Sequence, residues 1–127
     1  MKRFSIIVCT YNREKYIYNA MKSIVEQNVP VDSYEIVLVN NKSTDGTKDI
    51  CQQFGADYPQ VDFRYFDELN QGLSYARNRG VAESRGEVLV FVDDDATVYD
   101  NYLPSIDKFF TDYPDVSACG GPIQPVY

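Results

Sequence analysis

The feature that most constrains the fold is an alternation between short apolar runs and segments with helical spacing. Mainly apolar, β-forming runs occupy residues 4–9 (FSIIVC), 34–39 (YEIVLV) and 87–92 (EVLVFV), and residues 61–66 (VDFRYF) alternate with period two. This rhythm predicts βαβ units, and therefore an α/β fold with a mostly parallel sheet and helices on both faces. The nearly continuous apolar strands agree, because strands of a parallel sheet are buried on both sides.

Helices are predicted between these strands from apolar spacing and from capping residues. The expected helices are residues 16–29, 43–54 with Ser43 or Thr44 as cap, 73–85 in spite of Gly80, and 101–113 with Pro104 near its start. A further strand is predicted at 115–123. Because this domain type is usually longer, we expect residues 1–127 to be a fragment of a larger protein.

The composition excludes several classes of function. A net charge of −7 argues against general binding to nucleic acid or to an anionic membrane surface. No apolar stretch approaches the roughly 20 residues of a transmembrane helix. Three cysteines far apart favour reduced thiols and a cytoplasmic location, with peripheral attachment to the inner face of the membrane as a variant. The absence of histidine excludes histidine-based catalysis and histidine metal ligands within this chain.

Polar side chains follow each predicted strand. Ligands of open α/β sheets bind beyond the carboxyl ends of the strands, so these groups are the candidate site. They are Thr10, Tyr11, Asn12 and Arg13 after the first strand, Asn40 and Asn41 after the second, Asn70, Gln71 and Gly72 after the third, and Asp93, Asp94 and Asp95 after the fourth.

The aspartate triplet calls for a cation. Two carboxylates about 4 Å apart repel by about 4 kcal/mol at an effective dielectric constant near 20. A Mg²⁺ or Mn²⁺ ion, which prefers oxygen ligands and shares them with phosphates, would offset this repulsion. If the strand continues, Asp93 and Asp95 point the same way and are the predicted metal ligands. The alternative is a solvated acidic turn.

Other candidates also have structural explanations. Asn12 could simply cap the following helix, and Ser43 to Gly46 read best as a cap plus a turn. Arg77 lies one turn into a predicted helix, where its guanidinium could reach a phosphate or a base, whereas Arg79 is expected on a solvated face. Tyr11 is a plausible stacking platform.

Four segments together resemble the N-terminal, nucleotide-binding part of family 2 glycosyltransferases, which have the Rossmann-like GT-A fold. They are SIIVCTYNRE, EIVLVNNKSTDGT, NQGLSYARNRG and VLVFVDDDATV, in this order. The resemblance implies a nucleotide-diphosphate-sugar donor, a divalent Mn²⁺ or Mg²⁺ ion, and a glycan or lipid-linked acceptor in polysaccharide assembly. It implies transfer of the sugar to an acceptor hydroxyl, with inversion at the anomeric carbon.

The resemblance also implies roles for individual residues. The nucleoside pocket would be lined by Thr10, Tyr11 and Asn12, with Arg13 nearby, and the base would contact Asn40 and Asn41. Gly72 would belong to the nucleotide site, and Arg77 would reach the base or diphosphate. Asp93 and Asp94 would meet the ribose and metal-bound water, and Asp95 would ligate the metal.

Two departures from the family pattern matter. Asn40 stands where the family most often has aspartate, so uracil cannot be assumed as the base. The family's catalytic base and acceptor site lie further along the chain than Tyr127. We therefore assign no catalytic residue, and expect this chain to bind a donor while transferring little or no sugar.

Two other functions remain open at this point. The segment VFVDDDATV also fits a haloacid-dehalogenase-like phosphohydrolase, with Asp93 as nucleophile and Asp95 as acid/base. That family places the motif near its N-terminus and needs a later lysine. A nucleotide-binding module without chemistry is the third possibility.

Overall fold

The first four predicted strands form one parallel sheet. The computed structural model describes residues 2–115 and the backbone of residues 124–125. The strands are β1 (Phe4–Thr10), β2 (Tyr34–Asn40), β3 (Asp62–Asp67) and β4 (Val88–Phe91). They lie in the order β3-β2-β1-β4, with Phe4 paired to both Tyr34 and Val88. The prediction of a mostly parallel sheet is confirmed.

Helices cover both faces of the sheet, as predicted. They are α1 (Ile17–Val25), α2 (Thr47–Asp57), α3 (Leu73–Glu83) and α4 (Tyr102–Asp112). Short strands β5 (Ala96–Thr97) and β6 (Gln124–Pro125) pair antiparallel. The predicted strand 115–123 lies outside the described residues except for Asp115, which is in a turn. None of the helices in residues 2–115 has the length and apolar character of a membrane span.

The two faces carry separate cores. Ile6, Ile36 and Val90 face α1, α2 and α4, in a cluster that also contains Ile17, Met21, Phe54 and Leu103. Ile7, Val37 and Val39 face α3 through Ala76. Right-handed crossovers explain this division, because the chain builds β1, β2 and β3 in one direction and then returns past β1 to β4. The strand order therefore reverses between β1 and β4, where such sheets bind ligands.

Gly80 lies inside α3 because the helix packs closely on β1. A Cβ atom at Gly80 would come within 2.5 Å of Cγ2 of Ile7, whose branched side chain is buried. The loss of helix propensity at a glycine, about 1 kcal/mol relative to alanine, is thus tolerated for close packing. The predicted helix across Gly80 is confirmed.

Three predictions about local structure are wrong. α1 ends at Val25 instead of near Val29, and α2 begins at Thr47 without a cap from Ser43 or Thr44, because residues 43–46 form a loop bonded to residues 12–14. β4 is not buried on both faces, since the side chains of Leu89 and Phe91 are 38% and 45% exposed on the α3 side. α3 covers β1 and β2 and leaves β4 at the edge of the described sheet.

Candidate functional site

A cleft of about 540 Å³ opens at the carboxyl ends of β1 and β4. This volume lies within the range of small-molecule sites. The cleft is lined by ten of the predicted residues, namely Thr10, Tyr11, Arg13, Asn41, Gln71, Gly72, Arg77, Asp93, Asp94 and Asp95. The strand ends thus converge as parallel topology requires.

The wall of the cleft also includes residues that the sequence analysis missed. They are Ile7, Cys9, Leu73, Ala76, Phe91 and Val92. Period-two alternation could have identified Ile7 and Cys9, which share one face of β1. Helical spacing could likewise have identified Leu73 and Ala76 beside Arg77. Burial raises the pKa of the Cys9 thiol to about 11, so this side chain is a neutral, mainly apolar part of the wall at neutral pH.

The acidic triplet lies in a turn of residues 93–96, called the acidic turn below, and does not extend the strand. β4 ends at Phe91, and the N–H of Ala96 donates to the carbonyl of Asp93 at 3.3 Å. The strand geometry that would point Asp93 and Asp95 to the same side is therefore not present, and that premise was wrong. Both residues still line the cleft, and their role as metal ligands stays a prediction.

Asp94 differs from its two neighbours because it is bound to the protein. Its carboxylate accepts from the N–H of Tyr11 at 3.4 Å and lies 3.5 Å from Nε of Arg13. Burial raises the pKa of Asp94, although the Thr10 hydroxyl and Arg13 act in the opposite direction. Within residues 2–115, the carboxylates of Asp93 and Asp95 have no hydrogen bond or ion pair. These two acids are thus available to a ligand.

Asn12 connects the loop after β1 to the loop after β2 by hydrogen bonds. Its backbone is left-handed, with φ of 51°, a conformation that asparagine tolerates better than most residues. Its Oδ1 accepts from the N–H of Thr44 at 2.7 Å, and its own N–H donates to Oγ of Ser43 at 2.9 Å. Asn12 therefore neither caps α1 nor lines the cleft, and a contact with the nucleoside remains a prediction.

A hydrogen bond to Thr47, at the start of α2, holds the backbone of Arg13 in place at the cleft. The N–H of Arg13 donates to Oγ1 of Thr47 at 3.0 Å, and the carboxylate of Asp45 accepts from both N–H and hydroxyl of Thr47. Although burial acts to raise the pKa of Asp45, hydrogen bonds from Thr47 and from the Glu14 N–H hold it below the usual value. A charged Asp45 thus stabilises the loop that carries Arg13.

The two asparagines after β2 have different positions. The amide of Asn40 is buried, donates to the Tyr65 hydroxyl at 2.9 Å and accepts from the N–H of Ser43 at 3.2 Å. Asn40 faces β3 and is not among the residues that line the cleft. Asn41 does line it, and its Oδ1 accepts from the N–H of Gly72 at 2.8 Å. Base recognition by either side chain stays a prediction.

Asn41 also shapes the loop that leads into α3. Its Nδ2 donates to the carbonyls of Glu68 and Asn70, at 3.2 and 2.9 Å. Gly72, at the end of this loop, has a φ of 140°, which residues with a side chain rarely adopt. The loop therefore sets the start of α3, and with it the position of Arg77.

The two arginines of α3 have different surroundings. Arg77 is exposed at the cleft, and no ion pair or hydrogen bond ties its guanidinium within the described chain. The prediction that Arg79 lies on a freely solvated face is wrong. It pairs with Glu83 at 2.9 Å and stacks over the ring of Phe66, because α3 turns this residue towards β3. Arg77 is thus the α3 cation that is available to an anionic ligand.

The divalent ion implied by the family resemblance can be tested against this donor set. No three cysteine, aspartate or glutamate side chains in the described residues are grouped to hold a metal by themselves. Mg²⁺ and Mn²⁺ sites on nucleotides commonly use one or two carboxylates and take their other ligands from phosphate and water. Asp93 and Asp95 fit that smaller requirement.

Comparisons with known proteins identify relatives of this chain. Glycosyltransferase AglE of Haloferax volcanii is 35% identical over 99 residues, which are 78% of this chain and 32% of AglE. Mannosyltransferase PcManGT from Pyrobaculum calidifontis, solved with GDP-Man and Mn²⁺, is 30% identical with a TM-score of 0.83, and the match covers 87% of this chain and 33% of that one.

A further solved structure has the same fold. TarS 1–349 of S. aureus in complex with UDP-GlcNAc is 29% identical with a TM-score of 0.79, over 94% of this chain and 37% of that one. The chain thus spans about a third of the length of these relatives. These likenesses confirm the predicted GT-A fold, and a family model described as Glycosyl transferase family 2 matches residues 5–125. The match extends over almost all of the sequence, and we conclude that the chain belongs to glycosyl transferase family 2.

Proposed function

We propose that this chain binds a nucleotide-diphosphate sugar and a divalent metal ion in the cleft. It would serve as the donor-binding part of an inverting transferase that acts on a glycan or lipid-linked acceptor at the cytoplasmic side. The observation that carries the proposal is the convergence of Arg77, Tyr11 and the acidic turn on one cleft. The family assignment favours this function over the phosphohydrolase and over a module without chemistry.

The distribution of charge in the cleft supports a diphosphate ligand. Arg77 has no partner within the described residues, whereas Arg13 already lies beside Asp94. A diphosphate would pair with Arg77 and, through a metal ion, with Asp93 and Asp95. When bound, such an ion would neutralise charge on the departing nucleotide diphosphate.

The remaining wall of the cleft supports a nucleoside. Tyr11 is 45% exposed, so its ring can stack on a base, and Ile7, Cys9 and Ala76 give a small apolar surface. The amides of Asn40 and Asn41 are already hydrogen-bonded within the protein. We therefore propose no particular nucleobase. The solved relatives contain different ones, in GDP-Man and UDP-GlcNAc.

The chemistry of transfer needs a group that we do not assign to this chain. A general base must take the proton from the acceptor hydroxyl as its oxygen attacks the anomeric carbon. Among the described residues, the acidic side chains that line the cleft are the three of the acidic turn, and we propose that these bind the donor. We propose that the base lies beyond Tyr127, as the family resemblance implies.

Titration calorimetry with UDP, GDP, ADP, CDP and dTDP, each with and without Mn²⁺, tests the proposal. At least one nucleotide is expected to bind, and Mn²⁺ should tighten its binding by about a hundredfold or more, because two carboxylates and the diphosphate share the ion. Failure of all five to bind in Mn²⁺ would contradict it. Release of phosphate from a phosphomonoester, lost in Asp93→Asn, would instead support the phosphohydrolase.

Two arginines of α3 provide a matched control for this titration. Arg77→Ala should weaken nucleotide binding by roughly tenfold, since it removes a charge-assisted contact with the diphosphate. Arg79→Ala removes the same group two residues away, where it pairs with Glu83 and Glu68 outside the cleft. Equal effects of the two substitutions would indicate a general electrostatic contribution instead of a binding site.

A further inference from the structure

The segment that follows the acidic turn, residues 96–103, is hydrogen-bonded to the C-terminal end of α1. Residues Asp93 to Ala96 form the turn, and β5 then runs against α1 with Ala96 buried. On the other side of the turn, the N–H of Val92 donates to the carbonyl of Ile7 at 3.0 Å. The turn is therefore held at both of its ends.

Two buried polar side chains of the α1 end make this connection. Oγ of Ser23 donates to the carbonyl of Ala20 at 2.7 Å and accepts from the N–H of Val98 at 3.1 Å. Oε1 of Gln27 accepts from the N–H of Leu103 at 2.9 Å. Its Nε2 donates to the carbonyls of Ser23 and Tyr99. Neither side chain lines the cleft.

These bonds matter because the acidic side chains cannot orient themselves. Asp93 and Asp95 repel each other and have no hydrogen bond within residues 2–115, so the backbone of the turn must set their positions. The bond from Val98 to Ser23 lies three residues after Asp95. Loss of this bond would let residues 96–103 move, so the carboxylates of Asp93 and Asp95 would occupy more positions.

We propose that Ser23 and Gln27 are positioning residues that hold the acidic turn in the geometry that binds the metal ion. This inference rests on the proposed function of the cleft. Side chains that orient metal ligands from outside the first coordination shell typically contribute ten- to hundredfold in metal affinity. Ser23 and Gln27 would act in this way through the backbone of residues 96–103.

The test compares Ser23→Ala with Ser84→Ala. Both substitutions remove a hydroxyl that donates to a backbone carbonyl of a helix at 2.7 Å, but Ser84 directly follows α3 and bonds to Gly80. The measured quantity is the ratio of nucleotide affinities with and without Mn²⁺. Ser23→Ala should lower this ratio by roughly ten- to hundredfold while the metal-free affinity stays unchanged. Ser84→Ala should leave both unchanged.

Two more variants guard against a simple loss of folding. Ser23→Thr keeps the hydroxyl and should restore the Mn²⁺ response. Gln27→Glu keeps the acceptor for Leu103 but loses both donated bonds, and should lower the response as Ser23→Ala does. The water-proton relaxation of bound Mn²⁺ should change in both deficient variants, which a purely structural role would not require.

The outcomes separate this inference from the function on which it rests. A wild-type chain that responds to Mn²⁺, with Ser23→Ala and Gln27→Glu responding equally, overturns the positioning role alone. A wild-type chain that shows no response to Mn²⁺ overturns the proposed function and this inference with it. A parallel loss of metal-free and metal-dependent affinity would mean that the substitutions disorder the whole cleft, and would also overturn the positioning role.

Discussion

Replacement of Asp95 by alanine is expected to abolish Mn²⁺-dependent binding of the nucleotide diphosphate. The carboxylate lines the cleft and has no bond to the described part of the protein, so its removal takes away a metal ligand without breaking a contact. We expect the affinity in Mn²⁺ to fall by at least about a hundredfold, since even outer-shell partners of metal ligands contribute ten- to hundredfold. Calorimetry measures this loss directly.

The fold should survive this substitution. We expect the free energy of unfolding to change by less than about 0.5 kcal/mol, as at other surface positions that lack a buried contact. Asp100→Ala is the matched control, because it removes an exposed carboxylate five residues further along that does not line the cleft. Unchanged affinity of Asp95→Ala in Mn²⁺ would count against the metal site.

Glu35→Gln is expected to cause the largest loss of stability among single polar substitutions. The Glu35 side chain is fully buried in β2, and its carboxylate accepts from Ser5, from the N–H of Arg85 at 2.7 Å and from Nε of Arg85 at 3.0 Å. Nη1 of Arg64 adds a contact at 3.2 Å. Loss of these charge-assisted bonds should cost about 2–3 kcal/mol, measurable by chemical denaturation.

The effect of pH on this stability has a definite sign. Burial acts to raise the pKa of Glu35, but hydrogen bonds from Ser5, Arg85 and Arg64 outweigh it and hold the pKa below its ordinary value of 4.5. The stabilisation is therefore present above pH 4.5 and is lost as the pH falls through the lower pKa of the folded state. Glu35→Gln should make the unfolding free energy depend less on pH in that acidic range.

Glu87→Gln is the control for this prediction. The Glu87 carboxylate is half-exposed and contacts Arg3 at 3.4 Å, a geometry that contributes little to stability. An equal loss of stability in Glu87→Gln and Glu35→Gln would contradict the account. The Glu35 network also affects the site, because Ser5 accepts from the N–H of Gly86 at 2.7 Å just before β4, the strand that leads to the acidic turn.

The sequence alone predicted the sheet and the edge of the sheet at which the cleft lies. β1 and β2 are apolar on both faces, so their burial could be predicted without knowledge of tertiary contacts. Parallel strands bring their carboxyl ends together, and this rule predicted that Tyr11 and the aspartate triplet would lie at one edge of the sheet. Arg77 was predicted to reach the same edge from its position one turn into the helix after β3.

The contacts of individual polar side chains could not be predicted in this way. Asn12 and Asn40 occupy strand ends like their neighbours, but hydrogen bonds to loops distant in sequence turn them away from the cleft. Gln27 follows the helical spacing of α1, yet the helix ends before it and its amide bonds to residues more than 70 positions away. Such pairings depend on tertiary geometry, which local patterns do not contain.

A crystal structure of the chain with Mn²⁺ and the nucleotide selected by calorimetry, with anomalous data collected at the manganese edge, tests the central claim most directly. We expect an anomalous peak at about 2.1 Å from a carboxylate oxygen of Asp95, typical of small hard cations, with the diphosphate beside Arg77. A manganese peak away from the acidic turn, or a nucleotide bound outside the cleft between Tyr11 and Arg77, would contradict the account.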